Sequence, residues 1–155
     1  MLGLSALVRL RGLVVVVAVV IPLALTGCDS DDGPTAAQAG QTLKNHILGV
    51  LHERTALDVT ITDAGGKNVS CGDGMAKQTF AATGRDSAGD PSPEGLNALM
   101  IGALGRVADY RIVSADSPGK PVRAVNADTR TTLVFQSPGN GLYAVAGETD
   151  CLPVS

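Results

Sequence analysis

Ser92-Pro93-Glu94-Gly95-Leu96-Asn97-Ala98-Leu99-Met100-Ile101-Gly102-Ala103-Leu104-Gly105-Arg106-Val107 is the stretch that decides the fold class. Serine can cap the first backbone N–H groups, proline suits the first helical position, and Glu94 complements the positive end of the helix dipole. Leu96, Leu99, Met100, Ala103, Leu104 and Val107 then recur at i, i+3, i+4, i+7 spacing, which gathers them on one helical face. Gly102 and Gly105 lie inside the pattern, where each costs about 0.8–1 kcal/mol relative to alanine. Close packing on a sheet is the usual reason for such glycines; a phosphate site would need them at the helix start.

Outward from this helix the period changes to two. Residues 110–115, 122–126, 131–136 and 142–147 are short β-rich runs. They are joined by the turn formers Asp116-Ser117-Pro118-Gly119, Ala127-Asp128 and Ser137-Pro138-Gly139-Asn140-Gly141. Four neighbouring strands with short links predict an antiparallel meander. Upstream, Leu57-Asp58-Val59-Thr60-Ile61-Thr62 alternates strictly and predicts a strand with one face buried, followed by a turn at Asp63-Ala64-Gly65-Gly66-Lys67-Asn68. A second strand is expected over 78–83, after an irregular lead-in over 69–74 that holds Cys71 and a tight turn at Gly72-Asp73-Gly74. Residues 84–91 read as loop. Ala39, Leu43, Ile47, Val50 and Leu51 form the apolar face of a first helix over 35–54. The predicted class is therefore α+β, with two helices on one face of a twisted, mainly antiparallel sheet in the order α-β-β-α-β-β-β-β.

The N-terminus has its own grammar. Arg9 and Arg11 precede an apolar run of 13 residues from Leu13 to Leu25 that contains Pro22. A spanning helix needs roughly 20 apolar residues, so the run reads as an export signal. It ends in Leu25-Thr26-Gly27-Cys28, which resembles the lipobox of bacterial lipoproteins. That resemblance implies cleavage before Cys28, a diacylglyceryl thioether on its sulfur, and acylation of the new amino terminus. Two long acyl chains, at about 0.8 kcal/mol per buried methylene, anchor a protein stably without a transmembrane helix. Residues 1–27 are then the signal peptide, and 28–34, with Asp29-Ser30-Asp31-Asp32-Gly33-Pro34, an acidic flexible tether. Residues 35–155 remain as one α+β domain. Four lysines against eight arginines, with plentiful Ala, Gly and Val, resemble actinobacterial usage.

Removing 27 of the 155 residues leaves 128, with 10 basic and 15 acidic side chains and a net charge of −5. That balance argues against nucleic acid or anionic headgroups as partners, since both reward a concentrated basic surface. With Cys28 given to lipid, Cys71 and Cys151 remain in an oxidising compartment, and a disulfide between them follows. A reactive thiol pair is the alternative, although the two lack the C-x-x-C spacing of redox sites. The helix–strand order, the paired cysteines and the ending Leu142-Tyr143-Ala144-Val145-Ala146-Gly147-Glu148-Thr149-Asp150-Cys151 are similar to LppA-type small lipoproteins, whose last strand runs into Gly-x-Thr-x-Cys. The resemblance brings an address and no activity.

Catalytic and cofactor chemistry finds little purchase in the chain. His46 and His52 are six residues apart on the first helix, not the three or four that one metal face requires, and read as solvated. No serine lies in Gly-x-Ser-x-Gly. Asp86, Asp90 and Glu94 offer carboxylates, but in an expected acidic loop and at a helix cap. Phe80, Tyr110, Phe135 and Tyr143 are the only aromatic rings, too few for sugar or base stacking, and both tyrosines are expected in the core with wet hydroxyls. The expectation is a non-enzymatic lipoprotein on the extracytoplasmic face of the cell membrane, with no cofactor or metal, binding an envelope protein. A small-ligand or lipid-binding module is the alternative, requiring an apolar pocket between the layers. A hydrolase comes third, requiring a cleft that joins an acid to His46 or His52.

Overall fold

The computed structural model describes residues 33–89, 92–114 and 120–154. The signal segment 1–27, Cys28, most of the tether, Asp90 and the turn 116–119 lie outside the described residues. The first helix, α1 (Ala36–Glu53), begins at a capping box: the Thr35 hydroxyl accepts from the Gln38 N–H while the Gln38 side chain accepts from the Thr35 N–H. Its buried face includes Ala39, Leu43, Ile47, Val50 and Leu51, as the spacing requires. The second, α2 (Pro93–Val107), starts where Ser92 and Pro93 place it, with the Ser92 hydroxyl accepting from the Gly95 N–H at 3.1 Å.

Nine strands accompany them among the described residues: β1 (Leu57–Asp63), β2 (Val69–Gly72), β3 (Met75–Lys77), β4 (Thr79–Arg85), β5 (Arg111–Ser114), β6 (Val122–Asn126), β7 (Thr131–Phe135), β8 (Leu142–Thr149) and β9 (Leu152–Pro153). Six form one antiparallel sheet in the order β1-β4-β8-β7-β6-β5, so β5 to β8 are the predicted meander. Both helices pack on one face of it. Their apolar stripes meet Phe80, Ala82, Ala124, Leu133, Phe135, Tyr143 and Val145 in one core.

Residues 69–74, expected as an irregular lead-in, instead supply β2 and the turn into β3. With the unanticipated β9 these make a separate three-stranded sheet, β2-β3-β9. Its satellite core is small: Ala36, Ala39, Ala76 and Leu152.

Strand β1 departs from expectation in its burial. Leu57, Val59 and Ile61 are about half exposed. The strand sits at the sheet edge and carries two register shifts against β4, with Asp58 in the left-handed region at φ 51°. Alternation encoded a strand, but an edge position leaves its apolar side chains uncovered. Bulges of this kind also disrupt further pairing at an edge. The glycines of α2 differ as well: a Cβ at Gly102 or Gly105 would meet open space, so close packing does not explain them.

Candidate functional site

Two polar clusters tie the layers together. In the first, His46 Nδ1 lies 2.9 Å from the Tyr110 hydroxyl, which lies 2.6 Å from Thr131 Oγ1, itself 2.8 Å from Thr129 Oγ1. The His46 and Tyr110 rings also meet edge-on, with centroids 5.6 Å apart. Burial pushes His46 below its ordinary pKa and Tyr110 above its own. His46 is therefore partly buried and partnered rather than free in solvent, and the Tyr110 hydroxyl is engaged by side chains, because this side of α1 abuts the residue that leads into β5. His52, in the last turn of α1, is exposed as expected.

The second cluster joins the end of α1 to β4 and β8. Arg54 Nε donates to the Tyr143 hydroxyl at 3.1 Å, and that hydroxyl in turn donates to Asp86 Oδ1. Arg54 Nη2 stands 3.4 Å from the same carboxylate, whose side chain is completely buried. Burial first, and Asp86 second, push the Tyr143 hydroxyl above its usual pKa, so it stays protonated and donates. Asp86 was expected in a flexible acidic loop, and Tyr143 with a wet hydroxyl; both are fixed in the interior instead. The signal for Asp86 was present in the sequence: Phe80, Ala82, Gly84 and Asp86 continue the buried period of β4. Asp90 lies outside the described residues and Glu94 is exposed in the first turn of α2, where it complements the helix dipole.

Buried amides missed by sequence reasoning complete the framework. Asn97 of α2 donates to the Lys120 carbonyl at 3.2 Å and accepts from the Ser137 N–H at 2.9 Å. Gln78 donates its amide to Asn68 Oδ1, and its backbone N–H donates to Thr149 Oγ1. Both sit on apolar faces, where an amide can reach neighbouring loops that periodicity does not locate. No buried side-chain polar atom among the described residues lacks a partner.

Cys71 of β2 and Cys151 just before β9 are bridged, with their Cα atoms 6.1 Å apart. No group of three or more metal-capable His, Cys, Asp or Glu side chains occurs among the described residues. No described helix is long and apolar enough to cross a membrane.

Besides an open cleft of about 400 Å³ lined by Arg85, Pro138, Gly139, Asn140 and Leu142, two kinds of surface remain. A cleft of about 230 Å³ lies between α1 and the loop after β1, lined by Lys44, Gly65, Gln78 and Phe80 among others. It is below the 300–1,000 Å³ typical of small-molecule sites. Lys44 Nζ lies 5.8 Å from the centre of the Phe80 ring. The Thr79 hydroxyl, then the Gly65 N–H, hold Asp63 below the ordinary carboxylate pKa.

The other surface is the face of the six-stranded sheet opposite the helices. Register places Ala81, Thr83, Val134, Ala144 and Ala146 side by side on it. They line a shallow cleft of about 140 Å³. A neighbouring cleft of about 210 Å³ shares Val134 and Ala146 and adds Arg123 and Thr132. No described helix covers this face.

Comparison with known proteins returned no matching family model, no matching curated protein and no matching solved structure.

Proposed function

We propose that this chain is a lipid-anchored, extracytoplasmic lipoprotein whose domain binds an envelope protein and carries out no catalysis. One observation carries the binding reading: a sheet face, floored by Ala81, Thr83, Val134, Ala144 and Ala146, is covered by no described helix while α1 and α2 both pack on the other side. Small side chains let a partner approach close to the backbone. An open apolar patch of this kind is a recurrent interaction surface.

Support for the address comes from the lipobox-like Leu25-Thr26-Gly27-Cys28 and from the Cys71–Cys151 bridge, a pairing typical of exported chains. The resemblance to LppA-type lipoproteins points the same way. Against a hydrolase stands the engagement of the usual general base: His46 faces Tyr110 rather than an acid. For the small-ligand alternative, the space between the layers is occupied by Leu43, Ile47, Phe80, Met100, Leu133 and Phe135, all fully buried.

The test is site-specific photo-cross-linking in the native host. A benzophenone residue at Ala146, in the middle of the open face, should give a reproducible protein adduct in membranes, and one at the exposed Gln41 of α1 should not. Adducts from Gln41 alone, or from neither position, contradict the proposal.

A further inference from the structure

The six arginines of the domain divide by location. Arg54 pairs with Asp86, Arg106 with Glu53 and Arg130 with Asp150. Arg85, Arg111 and Arg123 are exposed and have no ion pair among the described residues. Register puts all three on the helix-free face. Arg123 stands opposite Val134, and its neighbours Val122 and Ala124 point into the core. Arg111 stands opposite Val125, two residues along β6 from Arg123. That diagonal separation is about 7–8 Å between Cα atoms. Arg85 lies opposite Leu142 at the far end of β4.

Two acids of this face are already engaged. Asp63 accepts from the Thr79 hydroxyl and the Gly65 N–H, and Glu148 pairs with Lys77 at 2.8 Å. A chain that is acidic as a whole thus leaves the three arginines without an ion pair among the described residues on a face that no described helix covers. Isolated surface arginines mean little, but here the three without an ion pair among the described residues share one sheet face with that floor.

We propose that this face docks an acidic protein segment, with Arg111 and Arg123 as the pair that recognises its carboxylates and Arg85 as an outlying contact. The inference rests on the protein-binding reading above and adds the chemistry of the partner. Guanidinium groups take carboxylates in bidentate geometry, and arginine is enriched at protein interfaces. A membrane is the less suitable occupant. Surfaces that enter a bilayer interface present large apolar side chains. The central strands β4, β6, β7 and β8, which floor the face, contribute none of the large exposed apolar side chains; Leu57, opposite Arg85, and Val113 of β5 stand only at its margins.

The experiment uses the whole protein purified from host membranes, placed in vesicles of neutral phosphatidylcholine, with a fluorescent polyglutamate peptide as probe. The peptide should bind in a salt-sensitive manner. Arg111→Glu with Arg123→Glu should weaken it at least about tenfold, and the equal charge change Gln41→Glu with Lys44→Glu and Asn45→Glu, on α1, by less than about threefold. Arg111→Gln with Arg123→Gln serves if the reversal unfolds the domain by circular dichroism. Equal losses from both variants, or no peptide binding, overturn the inference. So does tighter arginine-dependent binding to phosphatidylglycerol vesicles than to the peptide, which would assign the face to lipid. Cross-links from Ala146 that persist unchanged in the arginine variant sink this inference alone. Their absence in the unaltered protein sinks the binding reading itself.

Discussion

Removing the Cys71–Cys151 bridge should destabilise the domain more than any other single change. The bridge spans 80 residues. Closing a loop of that length removes about 15 cal/mol/K from the unfolded chain, or about 4.5 kcal/mol at 25 °C. The native segment it fastens has few other restraints. Strand β9 is two residues long and registers only against Met75 and Ala76, and its satellite core contains one large side chain, Leu152. Cys71→Ser with Cys151→Ser should therefore lower the unfolding free energy by about 3–4.5 kcal/mol, and the melting temperature by about 15 °C for a domain of this size. Equilibrium denaturation with and without reductant gives the first number. Amide exchange locates the loss, which should open β2 and β9 while β7 and β8 stay protected. A change under about 1 kcal/mol would refute the reasoning, since it would mean the unfolded chain gains almost no freedom when the loop opens.

Other expectations concern the interior. Tyr143→Phe removes the hydroxyl between Arg54 and Asp86 and should destabilise the fold by about 1–3 kcal/mol in denaturant titration. Gly147→Ala should cost about 1–3 kcal/mol by overpacking, because a Cβ there would stand 2.6 Å from both Leu43 Cδ1 and the Thr132 carbonyl oxygen. Gly102→Ala and Gly105→Ala should each stabilise by about 0.5–1 kcal/mol, since open space surrounds both positions. His46 titrates below its ordinary value of 6.5, so the unfolded chain takes up the proton first. Its contribution to stability is complete above that value and is lost as pH falls through the folded His46 pKa. An NMR midpoint for His46 at or above 6.5 would contradict this.

Periodicity made the architecture legible: the apolar stripes of both helices, the Ser92–Pro93 cap and the four-strand meander stand where spacing and turn residues put them. What it could not give was position within the sheet. Leu57, Val59 and Ile61 alternate like a half-buried strand, and only the edge location of β1 exposes them. The small sheet escaped because Val69-Ser70-Cys71-Gly72 and Leu152-Pro153 are too short to show a period, and long-range pairing to Met75–Lys77 makes them strands. Candidate site residues fared less well for a related reason. Asp86 and His46 are polar residues with partners 57 and 64 positions away, Tyr143 and Tyr110; period two reaches Asp86 and marks its burial, but local pattern does not name either partner. The arginine-bearing face was hidden too, since net charge averages over surfaces that the fold separates.

In the proposed division of the three cysteines, Cys28 goes to lipid while Cys71 and Cys151 are bridged. The intact mass of the protein purified from host membranes tests that division most directly. It should correspond to a chain beginning at Cys28 with a diacylglyceryl group and an amino-terminal acyl chain, showing no alkylatable thiol before reduction and two afterwards. A chain that retains residues 1–27, or an unmodified Cys28 with a free thiol, would contradict it.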